Sequence, residues 1–170
     1  MSDIFSKAKE AIEKAVVVLL EDVKEEWRQQ NKVASGKAMR SAKAQTIAGF
    51  DSVTGVILVK KYMLYQDKGV KASRVKIGRG LITGLTRWIR YKMPSVPAKK
   101  RKHVAWAIAK TMQREGMPTK NARRYSPSGR VLNWSSHALG SAEPKIDVIV
   151  EELLSQGIDI EILNIIKSGA

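Results

Sequence analysis

Few side chains in this chain are equipped for covalent chemistry, and their spacing limits what they can do. There is no cysteine, which removes thiol catalysis, disulfides and thiolate zinc sites. The histidines are His103 and His137. Two imidazoles hold a metal only with carboxylates close by in space, and the sequence around them is poor in Asp and Glu. Ser135-Ser136-His137 sets a hydroxyl beside an imidazole, but nucleophile and base are normally assembled from separate segments, so adjacency reads as a capping loop. "GVKASRVKIGRG", residues 69–80, has glycines and lysines without the GxxxxGK[ST] spacing that cradles phosphate. Carboxylates able to pair as acid and base lie in the terminal helices, where they read as solvated faces. The expectation is a non-enzyme with no cofactor and no metal.

What remains is electrostatic. Pro97 through Lys102, "PAKKRK", carries four cations and no acid. The net charge is +15, unevenly spread: residues 1–59 hold 9 Lys/Arg and 8 Asp/Glu, residues 60–130 hold 20 and 2, and residues 131–170 hold 2 and 6. Such a middle segment favours a polyanion, either nucleic acid or an acidic protein surface. The acidic last stretch also suits the basic middle of a neighbouring copy. "PAKKRK" looks like a nuclear-import signal, but it lies between two helices and reads as a solvated basic loop. The contact candidates are Lys71, Arg74, Lys76 and Arg79 in one loop, Lys99, Lys100, Arg101 and Lys102 in a second, and Arg123, Arg124 and Arg130 in a third. Trp88, Trp106, Trp134, Tyr91 and Tyr125 are interleaved with these cations, as in stacking platforms for bases. Trp88 and Trp106 fall in helical patterns, where packing is the commoner use. Trp134, read as a loop residue, is the best aromatic candidate for a partner contact.

The elements that must position these residues read as α+β. The 170 residues, 44% hydrophobic, fit a single domain over 1–170 with a real core. No apolar run approaches a membrane span, and residues 1–10 lack the pattern of a secretory signal. Residues 3–30 read as a long helix capped by Ser2 or Asp3, with Ile4, Ala8, Ala11, Ile12, Ala15, Leu19, Val23 and Trp27 on one face. Val16–Leu20 is apolar nearly all round and is expected to be buried on more than one side. A short helical turn follows Ser35-Gly36. Residues 45–60 read as strand, turn at Asp51–Gly55, and strand. "LITGLTRWIRYK" and "KHVAWAIAKTMQREG" read as helices, the second ended by Gly116 with Pro118 beyond. Segments 68–80 and 119–142 read as extended loops, and 143–170 as a C-terminal arm or helix. Within it, residues 156–170 suit strand or helix equally.

Three spaced elements together resemble a known family. They are "VASGKAMRS" after the long helix, "KKYMLYQDKG" after the strands, and "ITGLTRWIRYK" followed by "VAWAIAKTMQREGMPT". Their order is similar to that of the tail-completion or head–tail joining proteins of tailed bacteriophages, over roughly residues 5–120. The resemblance implies a small sheet flanked by helices and a structural role as subunit of a ring in the phage neck. Six or twelve copies would join portal-side and tail-side proteins. It implies a place in the virion, assembled in the bacterial cytoplasm, with no membrane. Gly36, Ser41, Tyr62, Tyr65, Gly69, Trp88, Ile89, Ile108 and Gly116 carry the pattern. Gly69 and Gly116 look like turns, and Tyr65 and Trp88 like packing anchors. Here "QDKGVKAS" departs from the Gly-Thr and Pro that often follow the Tyr motif, and the basic load is heavy. In a ring the basic loops would face the genomic DNA in the lumen or the acidic surface of a neighbour. The alternative reading is a free, sequence-independent nucleic-acid-binding protein.

Overall fold

The computed structural model describes the backbone of residues 3–168, Asp51 excepted, and the side chains of residues 4–157 apart from that position. The fold is α+β and 67% helical, with a long N-terminal helix, a two-stranded antiparallel sheet and a C-terminal helix. In order the elements are α1 (Asp3–Gln29), α2 (Lys37–Ser41), β1 (Lys43–Ala48), β2 (Val53–Leu58), α3 (Lys61–Lys68), α4 (Arg79–Lys92), α5 (Ala98–Glu115) and α6 (Trp134–Ser168). Short 3-10 turns stand at Ala72–Arg74 and Ala122–Tyr125. Within the chain two compact units form: one of residues 1–25, 42–58 and 135–170, the other of residues 26–41 and 59–134.

In the first unit α1 and α6 run antiparallel. Lys145 pairs with Asp22 at 2.7 Å, while a Cβ on Gly157 would lie 3.5 Å from the Ile4 Cα. Small side chains allow the close approach: Ala11, Ala15, Ala138 and Ala142 are buried along with Val16, Leu20, Val23 and Leu153. Val17, expected to be buried, is 52% exposed; the helical period turns it away from Val16 and Leu20. The hairpin pairs Lys43 with Leu58 through Ala48 with Val53. Its turn falls between Ala48 and Val53, two to three residues earlier than the expected Asp51–Gly55, and the Gly49 amide donates to the Ser52 carbonyl at 2.7 Å across it. Gly55 is therefore a strand residue. Its missing side chain matters, since a Cβ there would sit 3.2 Å from Ile12 and Val16 of α1. The Ser2 cap and the Asp51 start of the expected turn lie outside the described residues, as does the Asp3 side chain.

In the second unit α4 and α5 pack through Ile82, Leu85 and Ile89 against Ala105 and Ala109. Ile108 is half-buried against the same cluster. Pro97 opens α5 and accepts the Lys100 amide through its carbonyl at 2.9 Å. The expected loop 97–103 is thus helix from Ala98. Ala, Lys and Arg are strong helix formers, and no breaker intervenes before Gly116. Segment 68–80 is not an open loop either. Val70 forms an antiparallel bridge with Met117, both amide–carbonyl bonds measuring 2.8 Å. Gly69 (φ +74°) and Gly116 (φ +88°) flank that bridge, and a Cβ on either would come within 2.6–2.7 Å of a carbonyl oxygen on the opposite segment. Gly36 also has positive φ, +70°, and the Ser41 hydroxyl donates to the Ala38 carbonyl at 3.0 Å.

Segment 119–142 is helical from Trp134 onward. Pro144 lies inside α6, where it removes one backbone N–H donor. The helix runs on through residues 156–168, so the arm is helix and the strand alternative falls away. Among the described residues no helix is long and apolar enough to cross a membrane.

Candidate polyanion-binding surface

Charge follows the two units. The unit of residues 26–41 and 59–134 holds 24 Lys/Arg and 3 Asp/Glu, a net +21; the other holds 7 and 13, a net −6. The expected contact residues separate into those that face water and those used inside the fold.

Lys71, Arg74, Lys76 and Arg79 are all exposed, as are Lys99, Lys100, Lys102, Arg123 and Arg124. Arg101 is half-buried and spends its Nε on the Val96 carbonyl at 3.1 Å. Arg130 reaches the buried Glu26 carboxylate at 3.2 Å and the Gln29 side-chain oxygen at 3.1 Å. Trp134 is only 4% exposed. Its ring meets Trp27 edge-on, with centroids 5.1 Å apart at 78°, and its indole N–H donates to the Met63 carbonyl at 3.1 Å. Trp134 is therefore a packed residue, while Arg130 is anchored inside the fold at one guanidinium nitrogen and remains 41% exposed.

The reason is a strap. Residues 125–133 lie across the C-terminal end of α1, where the last carbonyls of a helix lack internal partners. The Ser126 and Ser128 hydroxyls donate to the Gln29 carbonyl at 3.3 and 3.2 Å. The Asn31 amide donates to the Tyr125 carbonyl at 2.8 Å, and Gln30 to the Leu132 carbonyl at 3.2 Å. Lys32 donates to the carbonyls of Gln66 and Val131, both at 2.9 Å. Burial pushes the Lys32 ammonium down to about 8, with the charges of Asp67 and Glu26 opposing that fall. Asp67, itself buried, also accepts the Asn133 amide through its carbonyl at 2.8 Å.

The aromatic assignments reverse. Tyr62 is 45% exposed, Tyr65 50% and Trp88 39%, so Tyr65 and Trp88 are not buried anchors. Met63 and Asp67 form the buried side of α3, and Ile82, Leu85 and Ile89 that of α4. Trp106 is 43% exposed on the outer side of α5, among exposed Lys99, Lys102, His103 and Lys110. The reading by loops missed this helical surface, although spacings of three and four residues were present to mark it. Among the described residues no three His, Cys, Asp or Glu side chains come together as a metal site would require. The arrangement is suited to binding phosphate or carboxylate by many weak contacts. No protein-family model, curated protein or solved structure gives a match to this chain.

Proposed function

We propose that the chain is a non-catalytic structural subunit of an oligomeric ring in the neck of a tailed bacteriophage, joining portal-side and tail-side proteins. The observation that carries this is the segregation of charge, +21 on one compact unit and −6 on the other. A chain bearing two surfaces of opposite sign is disposed to associate head to tail with its copies, and head-to-tail contacts that close by rotation make rings. The ordered motifs around Gly36, Tyr62, Gly69, Trp88 and Gly116 support the same reading. The small sheet with helices before and after it is the architecture that this resemblance implies.

The test is quantitative mass spectrometry of density-purified particles from the source lysate. The expected result is a fixed copy number per portal, roughly six or twelve, as the resemblance implies and as a ring closed by rotation allows. Absence from particles, with the protein left soluble, overturns the proposal. A second reading, a free nucleic-acid-binding protein, is favoured by Trp106 standing half-exposed among unpaired lysines. It predicts a soluble protein–DNA complex with a steep salt dependence and no fixed copy number in particles.

A further inference from the structure

The outward face of α5 carries a regular run of exposed cations. Lys99, Lys102, His103, Trp106 and Lys110 recur at spacings of three and four and are all exposed. They lie away from Ala105 and Ala109, which pack on α4. None of the three lysines has an ion pair among the described residues. Local stability does not account for them, because α5 has no acid in its first turn while Lys99 and Lys100 stand there. Positive charge at a helix N-terminus opposes the macrodipole. An exposed tryptophan in the middle of the row is likewise unexplained by packing.

The charge balance decides the class of partner. Every copy of the chain brings +15, so no number of copies neutralises another, and association between copies leaves the excess in place. Nucleic acid supplies what is missing: a duplex presents a phosphate charge about every 1.7 Å of axis, and α5 offers its row about once per 5.4 Å turn. We propose that the outer face of α5 is a track for a nucleic-acid backbone. Lys99, Lys102 and Lys110 contact phosphates, and Trp106 is a platform on which an unpaired base stacks. The track reads no sequence, because cations on phosphate and a π-face on any base are indifferent to base identity.

This rests on the polyanion side of the ring reading alone, so the two fail separately. A ring found in particles whose subunits do not hold DNA overturns the track and leaves the ring. The experiment is fluorescence anisotropy of the full chain with a labelled single strand and its duplex, over about 50–300 mM salt. The triple variant Lys99→Gln, Lys102→Gln, Lys110→Gln is expected to bind at least about tenfold more weakly, with the log–log salt slope on duplex flatter by about 2–3. A charge-matched control, Lys9→Gln, Lys14→Gln, Lys24→Gln, is expected to change binding far less. Trp106→Ala is expected to cost roughly five- to a hundredfold on the single strand and little on the duplex, with Trp106→Phe in between. Equal losses from the two triple variants would mean that binding follows total charge, and would overturn the track. So would unchanged single-strand binding in Trp106→Ala. A change in sedimentation with no change in DNA binding would make this face a contact between copies instead.

Discussion

Lys32 turns its ammonium inward, onto the carbonyls of Gln66 and Val131, and this gives the strap a pH dependence of definite sign. Its folded pKa of about 8 lies below the ordinary lysine value because burial disfavours the charged form. Below pH 8 the ammonium is charged in both folded and unfolded chains, and the folded chain bears the desolvation cost. Between about 8 and 10.4 the unfolded chain holds the proton that the folded chain has lost, so stability rises with pH. Lys92, also lowered by burial, adds to the same slope. Tyr62, raised by burial, acts the other way only near and above its ordinary value of 10. Denaturant melts at intervals from pH 7 to 9.5 should therefore show a gain of about 1–2 kcal/mol. Lys32→Met should be less stable throughout and keep only the smaller rise that Lys92 contributes. A wild-type curve that falls through the window would contradict the assignment. A neutral amine still has two N–H donors for its two carbonyls, so the strap keeps its contacts as the charge leaves.

At the level of elements, the glycines of the second unit separate into two kinds with opposite expected effects. A Cβ on Gly84, inside α4, would meet nothing within 4 Å. Gly84→Ala should stabilise by about 0.5–1 kcal/mol, because alanine loses less backbone freedom on entering a helix. Gly116 has φ +88°, and its Cβ would lie 2.7 Å from the Val70 carbonyl. Gly116→Ala should destabilise by about 1–3 kcal/mol. Thermal melts of the two variants should move in opposite directions, and a shared direction would refute the geometry at Val70–Met117. The sequence made Gly116 legible as a helix stop, and the cores of α1, α4 and α5 were legible from period alone. The bridge that Gly116 protects was not, because it joins residues remote in sequence. The start of α6 was hidden for a different reason. Trp134 looks free beside Gly, Ser and cations, and only the strap shows that Trp27 and Met63 receive it. The basic loop at 97–103 failed as a loop because charge was read as solvation, whereas lysine and arginine also propagate helix. Its exposed cations survived that change of element, and only the surface carrying them is different.

Across the whole molecule the dominant unsatisfied interaction is repulsion among like charges. The second unit carries a net +21, and its internal anions are already engaged, Glu26 with Arg130 and Glu115 with Arg114. Glu115 is held below the usual carboxylate range by Arg114 and the Lys120 amide. Self-repulsion of that kind disfavours the compact state and is screened by salt, whose Debye length falls from about 30 Å at 0.01 M to about 10 Å at 0.1 M. The free protein should therefore melt higher as salt rises over this range, opposite to a fold held mainly by surface ion pairs. The pairs that exist in the first unit, such as Lys14–Glu10 and Lys9–Glu13, are exposed and each weak. Their loss in salt cannot offset relief of the excess. A duplex added at low salt should raise the melting temperature as well, since a ligand that binds the folded state alone stabilises it by mass action. That second shift should vanish as salt rises, because binding releases counterions condensed on the duplex and that release loses its drive at high salt. Scanning calorimetry across salt, with and without duplex, separates these cases. A melting temperature that falls with salt in the free protein would mean that attraction between the charges, not their excess, governs this fold.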